Sequence, residues 1–173
     1  MNIIVDAMGG DKGTGEIVKG CVEAVNQLGV NIIIVGKRDI IEEELIKYEF
    51  PKGAIDIINA TEIISNHEEP SLAIRRKKDS SMVVGLKALT EKKGDGFVSA
   101  GSTGALLAGG LFIVKRIKGI ERAALASIYP TTKGISFILD IGANADCKPE
   151  YLNQFATMGS IYSEKVLGVK LPK

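Results

Sequence analysis

The chain has 173 residues, of which 45% are hydrophobic and 25% charged, enough for one domain with a buried core. Lys and Arg number 22 against 21 Asp and Glu, and a formal charge of +1 argues against a general nucleic-acid binder or a disordered polyionic tail. Cys21 and Cys147 form neither a CxxC pair nor a disulfide framework, and with His67 as the single histidine no zinc set can be assembled, so no metal or other cofactor is expected.

The first strand is expected at residues 2–6, directly from the N-terminus, with no basic start or apolar core of a secretion signal. A helix follows, with Thr14 as its cap, a stripe of Ile17, Val18, Cys21, Val22, Val25 and Leu28, and Gly29 as its stop. Ile32 to Val35 reads as a buried strand, Arg38 to Tyr48 as a helix, and Ala54 to Ile58 as a strand after Pro51 and Gly53. The stretch from Thr61 to Ser80 is irregular, and a loop of that length is functional or partly helical.

Ser81 to Lys93 then reads as helix and Gly96 to Ala100 as strand. Thr103 to Ile117 is apolar on nearly every face and is expected to be a deeply buried helix. Its unbroken apolar run, Ala105 to Val114, is ten residues, short of the roughly 20 needed to span a bilayer, so the protein reads as soluble and cytoplasmic. Strands at Ala123–Ile128 and Ile135–Leu139 precede a last helix from Glu150 to Val166, opened by Pro149. The chain then stops at Val169–Lys173, where a further strand would be expected. Alternation of this kind implies an α/β fold with a mostly parallel sheet covered on both faces, here as a single domain over 1–173.

Three loops at strand ends carry the candidate chemistry. Asp6-Ala7-Met8-Gly9-Gly10-Asp11 follows the first strand, at the end where open α/β sheets bind ligands. It lacks the GxGxxG spacing of a dinucleotide site. Ser99-Ala100-Gly101-Ser102-Thr103-Gly104 joins a strand to the apolar helix, where small residues, three hydroxyls and a helix N-terminus suit a phosphate. It has no P-loop lysine, which disfavours nucleotide hydrolysis. Asp140-Ile141-Gly142-Ala143-Asn144 follows a later strand, and Asp140 and Asn144 are expected to face the same mouth. On spacing alone each loop also fits a plainer role, as a capped turn, a close-packing contact or an Asx turn. Arg75–Lys78 and the set Lys115, Arg116, Lys118 and Arg122 read mostly as solvated faces, with docking of an acidic partner or a phosphorylated cofactor arm as the sharper alternative. His67, beside Asn66, Glu68 and Glu69, reads as an exposed loop residue and not as a catalytic base.

DAMGGD (6–11), SAGSTGA (99–105), LDIGANADC (139–147) and PEYLNQFATMGS (149–160) together resemble the bacterial phosphate acyltransferases of phospholipid synthesis, the PlsX family. The similarity extends to Glu69-Pro70-Ser71, Arg75, Lys77 to Met82 and Gly119 to Arg122, and so over essentially the whole chain. Two positions depart from the family pattern: Lys12-Gly13-Thr14 replaces an Ala-Pro pair, and Ser102 stands where Asn is usual.

The resemblance implies a three-layer α/β/α fold like those of isocitrate dehydrogenase and phosphotransacetylase. It also implies a homodimer that associates peripherally with the membrane. The implied reaction is attack of inorganic phosphate on an acyl group carried by acyl carrier protein, giving acyl phosphate. Members of the family are roughly twice this length, so the chain corresponds to their N-terminal half. A non-catalytic module that binds acyl carrier protein or an anion is the alternative, and an unrelated anion-binding Rossmann-like protein a third. Joined to the loops, the resemblance implies that Gly9, Gly10, Ser99, Gly101, Ser102, Thr103 and Gly104 hold phosphate. Asp6, Asp11, Asp140 and Asn144 would then orient the reacting groups, and Arg75 and Lys78, or Lys12, would supply cationic contacts to the partner or the site.

Overall fold

The apolar runs at the start of the chain set the sheet. Asn2–Asp6 (β1) pairs in parallel with Asn31–Gly36 (β2), Val5 opposite Ile34, and β2 pairs in turn with Ile55–Asn59 (β3). Gly96–Ser99 (β4) pairs in parallel with the other side of β1, Val5 opposite Val98, so the strand order is β3-β2-β1-β4. Ile4 and Ile34 are fully buried, as expected for parallel strands covered by helices, and each such side chain contributes about 1.5–3 kcal/mol. The computed structural model describes residues 1–170 and Pro172, and of the closing segment expected to enter another strand, Leu171 and Lys173 lie outside the described residues. Two compact units are present, Met1–Lys115 and Arg116–Lys173.

In the first unit, Thr14–Leu28 (α1) begins one residue before the expected pattern, because Gly13, and not Thr14, is the cap. Gly13 has φ 84°, a turn that leaves Thr14 already helical, with its hydroxyl against Met8 Sδ at 3.5 Å. Gly29 does end α1, in the left-handed conformation, its N–H donating to Val25 O. Arg38–Leu45 (α2) is shorter than expected, and the chain tightens beyond it as Lys47 N–H donates to Glu44 O and Tyr48 N–H to Leu45 O.

The irregular stretch is partly helical. Glu69 caps Pro70–Arg76 (α3) by accepting from Ser71 and Leu72 N–H, and Pro70 sits in the first turn, where its missing N–H costs nothing. Ser80 then caps Ser81–Thr90 (α4) through Val83 N–H. Asp79 accepts from both the N–H and the hydroxyl of Thr61, which ties the two ends of the stretch together. Those two bonds hold the Asp79 carboxyl below its ordinary range.

The apolar segment after β4 is not the long buried helix expected. Thr103–Gly109 (α5) gives way to a π-helical turn at Gly110–Val114, which ends at Lys115 with φ 73°. Ala105, Ala108 and Gly109 are buried, while Phe112 is 48% and Ile117 74% exposed. The buried face packs on α3 and α4; a Cβ at Gly109 would overlap Leu86.

In the second unit, Ala126–Thr131 (β5) and Gly134–Leu139 (β6) pair antiparallel with each other, as a separate two-stranded sheet. A parallel crossover needs a dozen or more residues, and only Thr132 and Lys133 separate these strands. Pro149–Lys165 (α6) begins with Pro149, as expected, and stacks Tyr162 on Phe137 of β6 with ring centroids 4.6 Å apart.

Candidate functional site

Strands β1, β2 and β3 step outward in one direction, and β4 returns to the opposite side of β1. The carboxyl ends of β1 and β4 therefore flank a switch point, the position at which open α/β sheets receive ligands. The loops 6–11 and 99–104 leave the sheet there, side by side, as Asp6 pairs with Ser99 in the β1–β4 register.

Asp6 is 1% exposed, and its carboxylate is satisfied within the loops. Oδ1 accepts from Met8 N–H at 3.0 Å, and Oδ2 accepts from the Ser99 hydroxyl at 2.7 Å. Ser99 Oγ in turn accepts from Gly101 N–H at 3.1 Å. The two loops also touch through their glycines: a Cβ on Gly9 would lie 2.8 Å from Gly101 Cα and 2.7 Å from Asp6 Oδ2. Gly10 faces Ile17 of α1, where a Cβ would lie 2.9 Å from Ile17 Cδ1. These glycines are there for close approach, so the spacing of small residues has at least this structural meaning.

Ser102 caps α5, its Oγ accepting from Ala105 N–H at 3.3 Å while its own hydroxyl proton remains available. Ser102 is half-buried, and Thr103 and Gly104 are exposed. Among the described residues, the N–H groups of Ser102, Thr103 and Gly104 have no intramolecular acceptor, as expected for the first turn of a helix. An oxyanion approaching this loop therefore meets three N–H groups and two hydroxyls.

A third segment completes the surroundings. Asn66 Nδ2 donates to Asp11 Oδ1 at 3.1 Å, and a Cβ on Gly104 would lie 2.8 Å from Pro70 Cγ. The turn 65–70 thus touches both switch-point loops. Asn66 did not stand out in the sequence, and Pro70 stood out only within Glu69-Pro70-Ser71. The only signal was the Glu69-Pro70 pair, which marks a helix start.

The expected cations are not bonded to these carboxylates among the described residues. Arg75 lies over the Phe112 ring, 5.0 Å from its centroid, and Lys78 Nζ donates to Ile74 O at 3.4 Å. Lys12 is exposed beside Asp11. No group of three or more His, Cys, Asp or Glu side chains among the described residues is gathered to hold a metal ion.

Asp140 and Asn144 belong to the second unit, where they bond each other. Asp140 Oδ1 accepts from Leu125 N–H at 2.7 Å and Ala143 N–H at 3.2 Å, and Oδ2 accepts from Asn144 N–H at 2.8 Å and Nδ2 at 3.1 Å. Asn144 Nδ2 also donates to Ala123 O at 2.9 Å. Burial disfavours ionising Asp140, but the bonds from Leu125, Asn144 and Ala143 outweigh it and hold the carboxyl below its ordinary range. This pair fastens its own loop to the chain entering β5, in the manner of an Asx turn.

A family model described as fatty acid synthesis protein matches residues 1–173. The chain belongs to this family. It is 57% identical over 173 residues to the phosphate acyltransferase of Alkaliphilus oremlandii, covering all of this chain and 52% of the relative. It is 52% identical over 174 residues to that of Clostridioides difficile, covering all of this chain and 51% of the relative. The chain thus spans about half the length of these relatives. A phosphotransacetylase from Streptococcus pyogenes has a similar fold, with a TM-score of 0.70 at 19% identity, over 96% of this chain and 54% of the other. The family chain is therefore phosphotransacetylase-like in architecture, a mostly parallel sheet with helices. Among the described residues no helix is long and apolar enough to cross a membrane.

Proposed function

We propose that this chain is the phosphate-binding part of a phosphate acyltransferase that makes acyl phosphate from acyl carrier protein thioesters and inorganic phosphate. The observation that carries this reading is the loop 102–104 at the switch point, with three N–H groups that have no acceptor among the described residues and the hydroxyls of Ser102 and Thr103, in a chain whose relatives are named phosphate acyltransferase. Phosphate is itself the nucleophile, so no activated Ser, Cys or His is required. A phosphate oxygen attacks the thioester carbonyl carbon, a tetrahedral oxyanion forms, the C–S bond breaks, and the carrier thiolate leaves and takes a proton from solvent. The loop contributes by holding phosphate in place and by presenting N–H groups to negative charge.

Asp6 and Asp11 carry like charge to phosphate, so their part is to shape the loops and not to bind it. Asp140 and Asn144 shape the loop of their own unit. Arg75 and Lys78, on the exposed side of α3 and beyond it, are assigned to the acidic surface of acyl carrier protein. The family-length enzyme is assigned to the cytoplasm, as a homodimer held peripherally at the membrane.

A second reading is a module that binds acyl carrier protein or an anion without turnover, which the half-length match to the relatives favours. One assay separates the two. Carrier thiol released from acyl carrier protein thioester is measured with and without phosphate, for this chain alone and then with the remaining part of a family-length relative supplied. Phosphate-dependent release in the second arm supports the transferase. Binding of carrier with no release in either arm supports the module.

A further inference from the structure

The Ser99 hydroxyl was expected to contact phosphate, but both of its polar functions are spent inside the protein. It donates to Asp6 Oδ2 at 2.7 Å and accepts from Gly101 N–H at 3.1 Å. Asp6 is 1% exposed and uses its other oxygen on Met8 N–H at 3.0 Å. The resulting chain of bonds runs from the backbone of one loop, through a buried carboxylate and one hydroxyl, into the backbone of the other.

We propose that Ser99 and Asp6 form a latch that fixes the loop 99–104 against the loop 6–11, and that they act on phosphate only through the backbone they position. Neither residue touches the ligand. The inference rests on the phosphate reading above and deepens it by assigning the contacts: the N–H groups of Ser102, Thr103 and Gly104 bind, and Ser99 and Asp6 hold them convergent.

Three features support the division of labour. Gly101 N–H, in the same loop, is turned inward to Ser99 and is lost to any ligand. Gly9 and Gly101 bring the two backbones into contact beneath the latch, so a small movement of one loop displaces the other. Pre-organised donors bind an anion without reordering cost, and an unfastened loop must be ordered at each binding event.

The test compares wild type, Ser99→Ala and Asp6→Asn in two measurements on the intact chain. These are amide hydrogen exchange at Met8 and Gly101 without phosphate, and the dissociation constant for inorganic phosphate from backbone amide shifts. The proposal expects Ser99→Ala to speed Gly101 exchange at least tenfold and weaken phosphate at least fivefold, while the same three amides still shift at saturation. Asp6→Asn, near-isosteric and without the buried charge, keeps the fold if Ser99→Ala does not. It is expected to speed exchange at Met8 or Gly101 and to weaken phosphate by a smaller factor. Faster exchange with unchanged phosphate affinity overturns the proposal, because the latch would then be merely structural. Weaker binding with unchanged Gly101 exchange also overturns it, because the hydroxyl would then be a direct ligand. A wild-type chain that binds no phosphate overturns the underlying reading, and this inference with it.

Discussion

Gly9 and Gly101 lie backbone to backbone across the switch point, close enough that a Cβ on Gly9 would come within 2.8 Å of Gly101 Cα. Neither backbone can yield without moving a loop, so Gly9→Ala is expected to destabilise the first unit by about 1–3 kcal/mol. Gly101→Ala, whose Cβ would meet Gly9 Cα at 3.1 Å, is expected to cost less. Denaturant unfolding of the two variants checks the order, and equal midpoints for Gly9→Ala and wild type would contradict the contact.

The two cysteines are expected to react very differently. Burial pushes the Cys21 thiol up to about 12, and the residue is 4% exposed beside an apolar groove of ≈ 410 Å³ that includes Ile3, Val5, Ile17 and Val98. Cys147 is half-buried in the second unit. A thiol reagent near pH 8 should modify Cys147 in the native protein and Cys21 only on unfolding. Cys147→Ser should abolish the fast phase, and a fast phase surviving in that variant would contradict the burial of Cys21.

The strands β1 and β2 were legible because buried parallel strands read as continuous apolar runs, and β4 and the first two loops were legible from the small residues at the strand ends. The antiparallel pairing of β5 with β6 was not legible: strands expected at 123–128 and 135–139 leave six residues between them, whereas in the structure only Thr132 and Lys133 separate the two. The fate of the apolar helix was not legible either: composition shows that Phe112 and Ile117 are hydrophobic, but whether a face is covered depends on what packs there. At the site, the sequence supplied Asp6, Ser99 and Ser102 but not their roles. A hydroxyl that donates to an anion and one that donates to a buried carboxylate look alike in one dimension. Asn66 was missed for the same reason, since its bond to Asp11 spans the whole of β2 and β3.

Asp140 makes the second unit sensitive to acid. Its folded carboxyl lies below the ordinary value, so the stability it confers is fully present above the unfolded carboxylate pKa of about 3.9 and is lost as pH falls through the folded value. The difference in melting temperature between wild type and Asp140→Asn should be largest above about pH 5 and close as pH falls below about 4. A difference that grows on acidification would contradict the hydrogen-bonded carboxylate.

Glu69 is expected to matter as a cap more than as a charge. Its two oxygens take the N–H groups of Leu72 at 2.6 Å and Ser71 at 3.1 Å. Glu69→Ala should therefore cost about 1 kcal/mol, and Glu69→Gln, which keeps an acceptor oxygen, less. Equal losses in chemical denaturation would assign the effect to charge instead.

The central claim is that the turn from β4 into α5 receives an inorganic anion. Titrating the isotopically labelled chain with phosphate and following backbone amide resonances tests it most directly. The account predicts saturable shifts centred on Ser102, Thr103 and Gly104, reversed in affinity but not in position by competing sulfate. Shifts confined to the basic set Lys115–Arg122, or no saturable shift at these three amides, would contradict it.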